Sequence, residues 1–184
     1  MTKTSRVRKA VRDNSADLLR YFLRRVHNPE DAADLVGETF VVLWRRAADL
    51  PPAPVEARMW LFGIARNVLL SHARSAIKTE RLASLLHDRS NGSVYEMRTE
   101  SIDLERALLA LPEAKRELVL LVNGDGLSIA EAASVLSLNA STARSRYSAA
   151  LTELRTLLES SASKGASAHH DRAGPAGLRI LPQP

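Results

Sequence analysis

The chain has 184 residues, 45% of them hydrophobic and only 4% aromatic, with a net charge of +5 and a pI of about 10.0. That length suits one domain or two small ones, and a core drawn mainly from Leu, Val and Ala favours helices over sheets. The absence of cysteine excludes disulfides, thiolate metal sites and cysteine nucleophiles, and fits a cytoplasmic protein in a reducing compartment.

Residues 1–14 carry Lys3, Arg6, Arg8, Lys9 and Arg12 with little apolar content, and read as a basic N-terminal tail or a helix start. They lack the apolar stretch of a secretory signal, and no window of about 18 apolar residues follows, so no membrane insertion is expected. From Ser15, Leu18, Leu19, Phe22, Leu23 and Val26 recur at helical spacing. Asn28-Pro29-Glu30-Asp31 then opens a second helix. Asn is a good cap, Pro suits the first helical position, and acids favour the positive end of the dipole. This helix is predicted to reach about Asp49, where Leu50-Pro-Pro-Ala-Pro54 breaks it. A third helix is predicted from Val55 to about Ala76, with Trp60, Leu61, Ile64, Val68 and Leu69 in its apolar stripe. Periodicity is lost over 79–101, where Asn91-Gly92 marks a turn, and this segment reads as a linker.

The second half restarts at Ile102. Pro112 opens a helix that Asn123-Gly-Asp-Gly126 stops, with glycine free to take the left-handed cap. Ser128-Ile-Ala-Glu131 is a capping box. A short turn, Ser137-Leu138-Asn139, leads into a last helix from about Ala140 to Leu158. Residues 160–184 are rich in Ser, Ala, Gly and Pro and read as a disordered tail. The expectation is an all-α protein of two small helical domains, 15–78 and 102–159, joined by a flexible linker.

Two short helices joined by a three-residue turn, the second bearing arginines, form a helix-turn-helix pattern. The N-terminal part of such a second helix meets base edges in the major groove. Here that places Ser141, Thr142, Arg144, Ser145 and Arg146 on DNA. Arginine bonds guanine O6 and N7 in bidentate fashion, while the hydroxyls suit phosphates. The first half is asymmetric in charge. Residues 28–38 hold Glu30, Asp31, Asp34 and Glu38 and no base, whereas 58–81 hold Arg58, Arg66, Arg74, Lys78 and Arg81 against the single acid Glu80. Opposite faces of this kind suit two partners, a nucleic acid and a basic protein surface.

"NPEDAADLVGETFVVLWRRA" (28–47) followed by "MWLFGIARNVLLSHAR" (59–74) resembles the second conserved region of bacterial sigma-70-type factors. "ALLALPEAKRELVLLVNGDGLSIAEAASVLSLNASTARSRYSAALTELRTLL" (107–158) resembles their fourth. A chain with only these two domains is similar to the extracytoplasmic-function (ECF) group. The resemblance implies an alternative sigma factor that binds core RNA polymerase and directs initiation from −35 and −10 elements. It implies that Asp34, Leu35, Glu38, Phe40 and Trp44 sit in the segment that docks on the clamp helices of the β′ subunit, with further contacts to β. It implies that Asn67 reads a flipped base of the −10 element, and that Arg66, Arg74, Lys78 and Arg81 hold its backbone. The loop 49–57 matches in position the one that cradles that base. An anti-sigma factor is implied as a further partner, and no cofactor, metal or covalent chemistry.

The sequence departs from the family pattern in four places. Gly37 stands where glutamine is common before E-T-F, the loop is rich in proline, Ser141-Thr142-Ala143 stands for a glycine-threonine-valine start, and Ala149 and Leu151 replace common bases. The main alternative is a helix-turn-helix regulator of the response-regulator type, which would bind duplex DNA without polymerase. Its usual alternating βα receiver is absent from the all-helical first half. An enzyme reading would rest on His27 beside Glu30, Asp31 and Asp34, a spacing that matches no metal-ligand pattern. An antagonist of sigma would not need basic faces in both halves.

Overall fold

A computed structural model describes the backbone of residues 2–86 and 102–170 and the side chains of 2–77 and 103–160. Among the described residues there are helices and turns and no strand. The first half holds α1 (Lys3–Leu23), α2 (Pro29–Arg45) and α3 (Pro54–Leu86). The second holds α4 (Ile102–Ala110), α5 (Glu113–Val119), a π-helical turn (Leu120–Gly124), α6 (Ile129–Val135) and α7 (Ala140–His170).

The sequence signals place most helix starts. Asn28 caps α2 by accepting from the Glu30 N–H at 2.9 Å, with Pro29 as the first helical residue. Pro54 opens α3. In the second half Ser128 accepts from the Glu131 N–H at 3.2 Å, and the Glu131 carboxylate accepts from the Ser128 N–H at 2.7 Å. Gly126 takes the left-handed conformation at φ +68°. Ser137 also does so, at φ +55°, in the turn between α6 and α7. For a residue with a Cβ this conformation costs roughly 1–2 kcal/mol, and Asn139 offsets it by capping α7, accepting from the Thr142 N–H at 2.7 Å.

The basic N-terminal segment is not a tail. It forms the first turns of α1, capped by the Thr2 hydroxyl, because Val7 and Ala10 are buried against Leu43, Ala47, Leu50 and Leu61. Arg6 fixes this arrangement by donating to the Leu50 carbonyl. The long helices also overrun their expected ends. Helix α3 runs ten residues past Ala76, into the segment read as linker, and α7 runs to His170 rather than stopping near Leu158. Residues 87–101 and 171–184, which hold the rest of the expected linker and tail, lie outside the described residues.

The largest core cluster crosses between the halves. Leu18, Tyr21 and Phe22 of α1 and Phe62, Ala65 and Leu69 of α3 pack in one cluster with Leu118, Leu121, Leu127, Ala132 and Val135. The Tyr21 ring meets the Phe62 ring edge-on, at 5.5 Å between centroids and 87° between planes. A third cluster, around Leu108, Leu111, Val119, Leu120 and Ala150, holds α4 and α5 on α7.

The capping box makes a direct prediction. Losing a Ser cap costs about 1 kcal/mol, so Ser128→Ala should lower the urea midpoint by that equivalent without changing the slope. The Glu131 carboxyl is held below its ordinary value chiefly by the Ser128 backbone N–H, with burial opposing it and the Ser128 hydroxyl and the Arg58 charge adding to the lowering. A depressed carboxyl stabilises the fold fully above its unfolded value, near 4.5, and the contribution is lost as the pH falls through the lower folded value. The gap in stability between wild type and Glu131→Ala should therefore close in acid.

Candidate nucleic-acid interface

Helix α7 presents Ser141, Arg144, Ser145 and Arg146 to solvent, with Thr142 half-buried. The small residues between them serve packing, since Ala143 and Ala150 are fully buried. Tyr147 is held by a two-way hydrogen bond between its hydroxyl and the Asn123 amide, at 3.0 and 3.1 Å. The two arginines do not share a face. Residues two apart on a helix point about 200° apart. Ser141, Arg144, Ser145 and Ser148 line one side, while Arg146 reaches a cavity of about 430 Å³ shared with Tyr21, Arg66 and Leu69 of the first half.

On α3, Asn67 and Arg74 are exposed and Arg66 is half-buried. Arg74 donates to the Leu70 carbonyl at 3.1 Å, which leaves the rest of its fork outward. Lys78 and Arg81 lie on the same helix, but their side chains fall outside the described residues. Asn67 opens onto a cleft lined by Arg46, Glu56, Trp60 and Gly63, and closed on the far side by Ser134, Val135 and Ser137 of the second half. Trp60, read from periodicity as core, stands half-buried in this cleft two turns before Asn67, with the Arg46 guanidinium 5.3 Å from its ring centroid. An indole beside an amide offers a stacking surface and a hydrogen-bonding edge to a base. Pro51, Pro52 and Pro54 line a different cleft, of about 440 Å³, against Arg6, Lys9 and Asn14 of α1. Of the 49–57 loop, Glu56 lines the cleft beside Asn67 while the prolines line the other.

The acidic segment forms the outer face of α2. Asp34, Gly37, Glu38, Val41 and Trp44 are all exposed, Trp44 at 60% and Val41 at 49%, and their three- and four-residue spacing makes one stripe. Leu35 is one exception among the residues expected there, being 1% exposed and part of the core. Phe40 is half-buried and packs inward. Val41 is an addition that the sequence hides, since a valine in a helix normally reads as core. A Cβ on Gly37 would meet nothing within 4 Å. Gly37→Ala should therefore stabilise the protein by about 0.5–1 kcal/mol, measured as a higher urea midpoint.

One constellation has no local sequence signal. Arg25, fully buried near the end of α1, donates from Nη2 to Asp125 Oδ2 at 2.9 Å and from Nε to Glu117 Oε2 at 3.2 Å. Its remaining nitrogen donates to the Tyr21 carbonyl at 2.9 Å, and the guanidinium lies 3.8 Å from the Tyr21 ring centroid. Arg24 reaches Asp125 Oδ1 at 2.9 Å, and Arg58 donates to the Asp125 carbonyl at 3.0 Å and to Asp17. Arg58, counted with the basic face, is thereby committed inside the fold. Burial opposes the charge on Arg25, but Glu117, Tyr21 and Asp125 outweigh it and hold the guanidinium above its ordinary value. Burial also lifts the Asp125 carboxyl, against the pull of Arg25 and Arg24. Among the described residues no group of His, Asp and Glu is placed to hold a metal, and no helix is long and apolar enough to cross a membrane.

Comparison with known proteins matches both halves in the expected order. Residues 10–79 match the sigma-70 region 2 family and residues 101–154 the sigma-70 region 4 family, together about two thirds of the chain. The chain is 30% identical over 163 residues to the ECF RNA polymerase sigma factor SigE of Mycolicibacterium smegmatis, covering 85% of this chain but only 63% of that relative. It is 28% identical over 155 residues to the ECF sigma factor SigL of Mycobacterium tuberculosis, covering 80% of this chain and 85% of SigL. The structure resembles that of the sigma factor RpoE of Bartonella quintana, solved in complex with the anti-sigma factor NepR, with a TM-score of 0.59 and 26% identity over 80% of this chain and 95% of that one.

Proposed function

The chain belongs to the sigma-70 family, within the ECF group, and from that premise we propose that it is an alternative sigma factor. It binds core RNA polymerase, directs initiation from −35 and −10 elements, and helps to open the DNA. The observation that carries this reading is the α2 stripe, in which Asp34 and Glu38 lead into exposed Val41 and Trp44. A DNA-binding regulator that works alone has no use for an acidic, partly apolar face beside its basic ones. A sigma factor needs it to dock on the polymerase clamp, where acids pair with bases at the rim and an indole fills a desolvated pocket.

The other surfaces take complementary roles. Asn67 reads an unstacked −10 base by its hydrogen-bonding edge, Trp60 stacks on it, and Arg66 and Arg74 hold phosphates, with Lys78 and Arg81 further along α3. Arg144 reads a −35 base edge, Ser141, Thr142 and Ser145 position the helix on the backbone, and Arg146 grips phosphate or base once its side of α7 is free. Nothing in these roles makes or breaks a covalent bond, so the protein is no enzyme. It works in the cytoplasm, and an anti-sigma factor is its natural antagonist.

Arg144→Ala should reduce promoter-dependent initiation about tenfold, in line with the roughly 1–3 kcal/mol of one bidentate base contact, and leave retention on core polymerase unchanged. Co-elution of the purified protein with sigma-free core tests the reading directly. Duplex binding with no affinity for core would replace it with a regulator that acts without polymerase.

A further inference from the structure

Glu56, Trp60, Gly63 and Asn67 of α3 follow one another at steps of four, three and four residues, which sets them on one face of the helix. All four line the same cleft, of about 430 Å³. Gly63 leaves a gap between the indole and the amide, since a Cβ there would meet nothing within 4 Å. Trp60 and Asn67 serve one unstacked base, and Glu56 has no part in that contact. It lies eleven positions before Asn67. At 1.5 Å per residue that is about 16 Å along the helix, more than the edge of a single base.

Glu56 is exposed and makes no hydrogen bond or ion pair with a described residue. Cations are close by, since Arg46 and Arg66 line the same cleft. Arg46 is bound instead to Asp49, Nε to Oδ2 at 3.0 Å, with its guanidinium 5.3 Å from the Trp60 ring centroid. This holds the indole from one face and leaves the Glu56 carboxylate unpaired. The dipole of α3 favours an acid in its first turn. In a cleft that takes a polyanionic strand, however, the same charge repels phosphate. An acid serves such a cleft only where it accepts a hydrogen bond from a base.

We propose that this face of α3 takes two successive bases of the opened strand, the second read by Glu56, and that this second position selects a base with an exocyclic amine against thymine. The inference rests on the promoter-recognition reading and adds a subsite to it. An ionised carboxylate is an acceptor only. It takes a hydrogen bond from cytosine N4, adenine N6, or guanine N1 and N2. Thymine offers a single N–H between two carbonyl oxygens, and the carboxylate repels both. Trp60 lies four residues from Glu56 and seven from Asn67, so the indole stands between the two readers.

The test is initiation by the reconstituted holoenzyme on promoter templates in which each −10 position in turn carries all four bases. Asn67→Ala marks its own position by the loss of preference there. With thymine at one adjacent position the wild-type protein should initiate about tenfold less well, the fold-change of one good base contact. Glu56→Gln keeps the shape of the side chain and adds an N–H donor. It should largely erase that bias while the preference at the position marked by Asn67 persists. Glu56→Ala, which removes the acceptor altogether, repeats the test by the same criteria should Glu56→Gln lose activity. No thymine bias beside the position of Asn67 overturns the proposal, as does the same bias in an active Glu56 variant. A change confined to the position that Asn67 reads also overturns it, since both residues would then serve one base. A wild-type protein that neither binds core nor initiates fails the sigma-factor reading itself, so the two failures are told apart.

Discussion

Asp34→Lys combined with Glu38→Lys abolishes retention on sigma-free core polymerase while leaving helicity and thermal stability near those of the wild type. Both carboxylates are exposed on the outer face of α2, one turn apart, and neither makes an ion pair with a described residue in the structure. Their replacement therefore removes little from the fold. At the interface the same change turns two attractive contacts into two repulsive ones, and like charges facing each other cost several kcal/mol. Trp44 supplies the control. At 60% exposure it contributes little to the core, so Trp44→Ala should weaken polymerase binding without unfolding the protein. Normal assembly by the double lysine variant would remove α2 as the docking face.

Phe62→Ala should have the largest effect on stability, a loss of about 3–5 kcal/mol for a buried aromatic truncated to Ala. The ring has no exposed surface. It is edge-on to Tyr21, and the Arg58 guanidinium lies 5.0 Å from its centroid. It belongs to the cluster in which α1 and α3 meet the second half. The cavity left behind cannot collapse easily, because three elements frame it and two of their side chains are tied into the ionic cluster. Against a typical total of 5–15 kcal/mol, such a loss leaves a protein that unfolds at low urea. A loss below about 1 kcal/mol would mean that the ring is not packed as described.

The contrast between these positions shows what a sequence of this kind makes legible. Helix starts are local. Asn28-Pro29, Pro54 and the Ser128–Glu131 box act within four residues of chain, and the structure places helices where they point. The burial of Val7 and Ala10 is not local, because it depends on Leu43, Leu50 and Leu61 folding back over them, and so a basic segment passes for a tail. The ends of α3 and α7 escape for a related reason. No proline or capping glycine marks Ala76 or Leu158, and loss of apolar periodicity ends a helix's packed face without ending the helix.

The surfaces follow the same division. Family likeness marks α2 as a docking segment, but only the backbone rotation shows that Val41 joins Trp44 outside. Arg144 and Arg146 look equivalent as a pair of arginines in a small-residue helix. A spacing of two residues sets them on different sides, one toward open solvent and one toward the first half. Arg25 and Asp125 are invisible as partners from the chain alone, since nothing near either residue announces a contact 100 residues away.

The most direct measurement is transcription reconstituted from the purified protein and sigma-free core polymerase on a fragmented library of host DNA, with start sites mapped. New starts are expected that share upstream elements near −35 and −10 and vanish when the protein is left out. An absence of new starts together with no retention on core would contradict the sigma-factor reading.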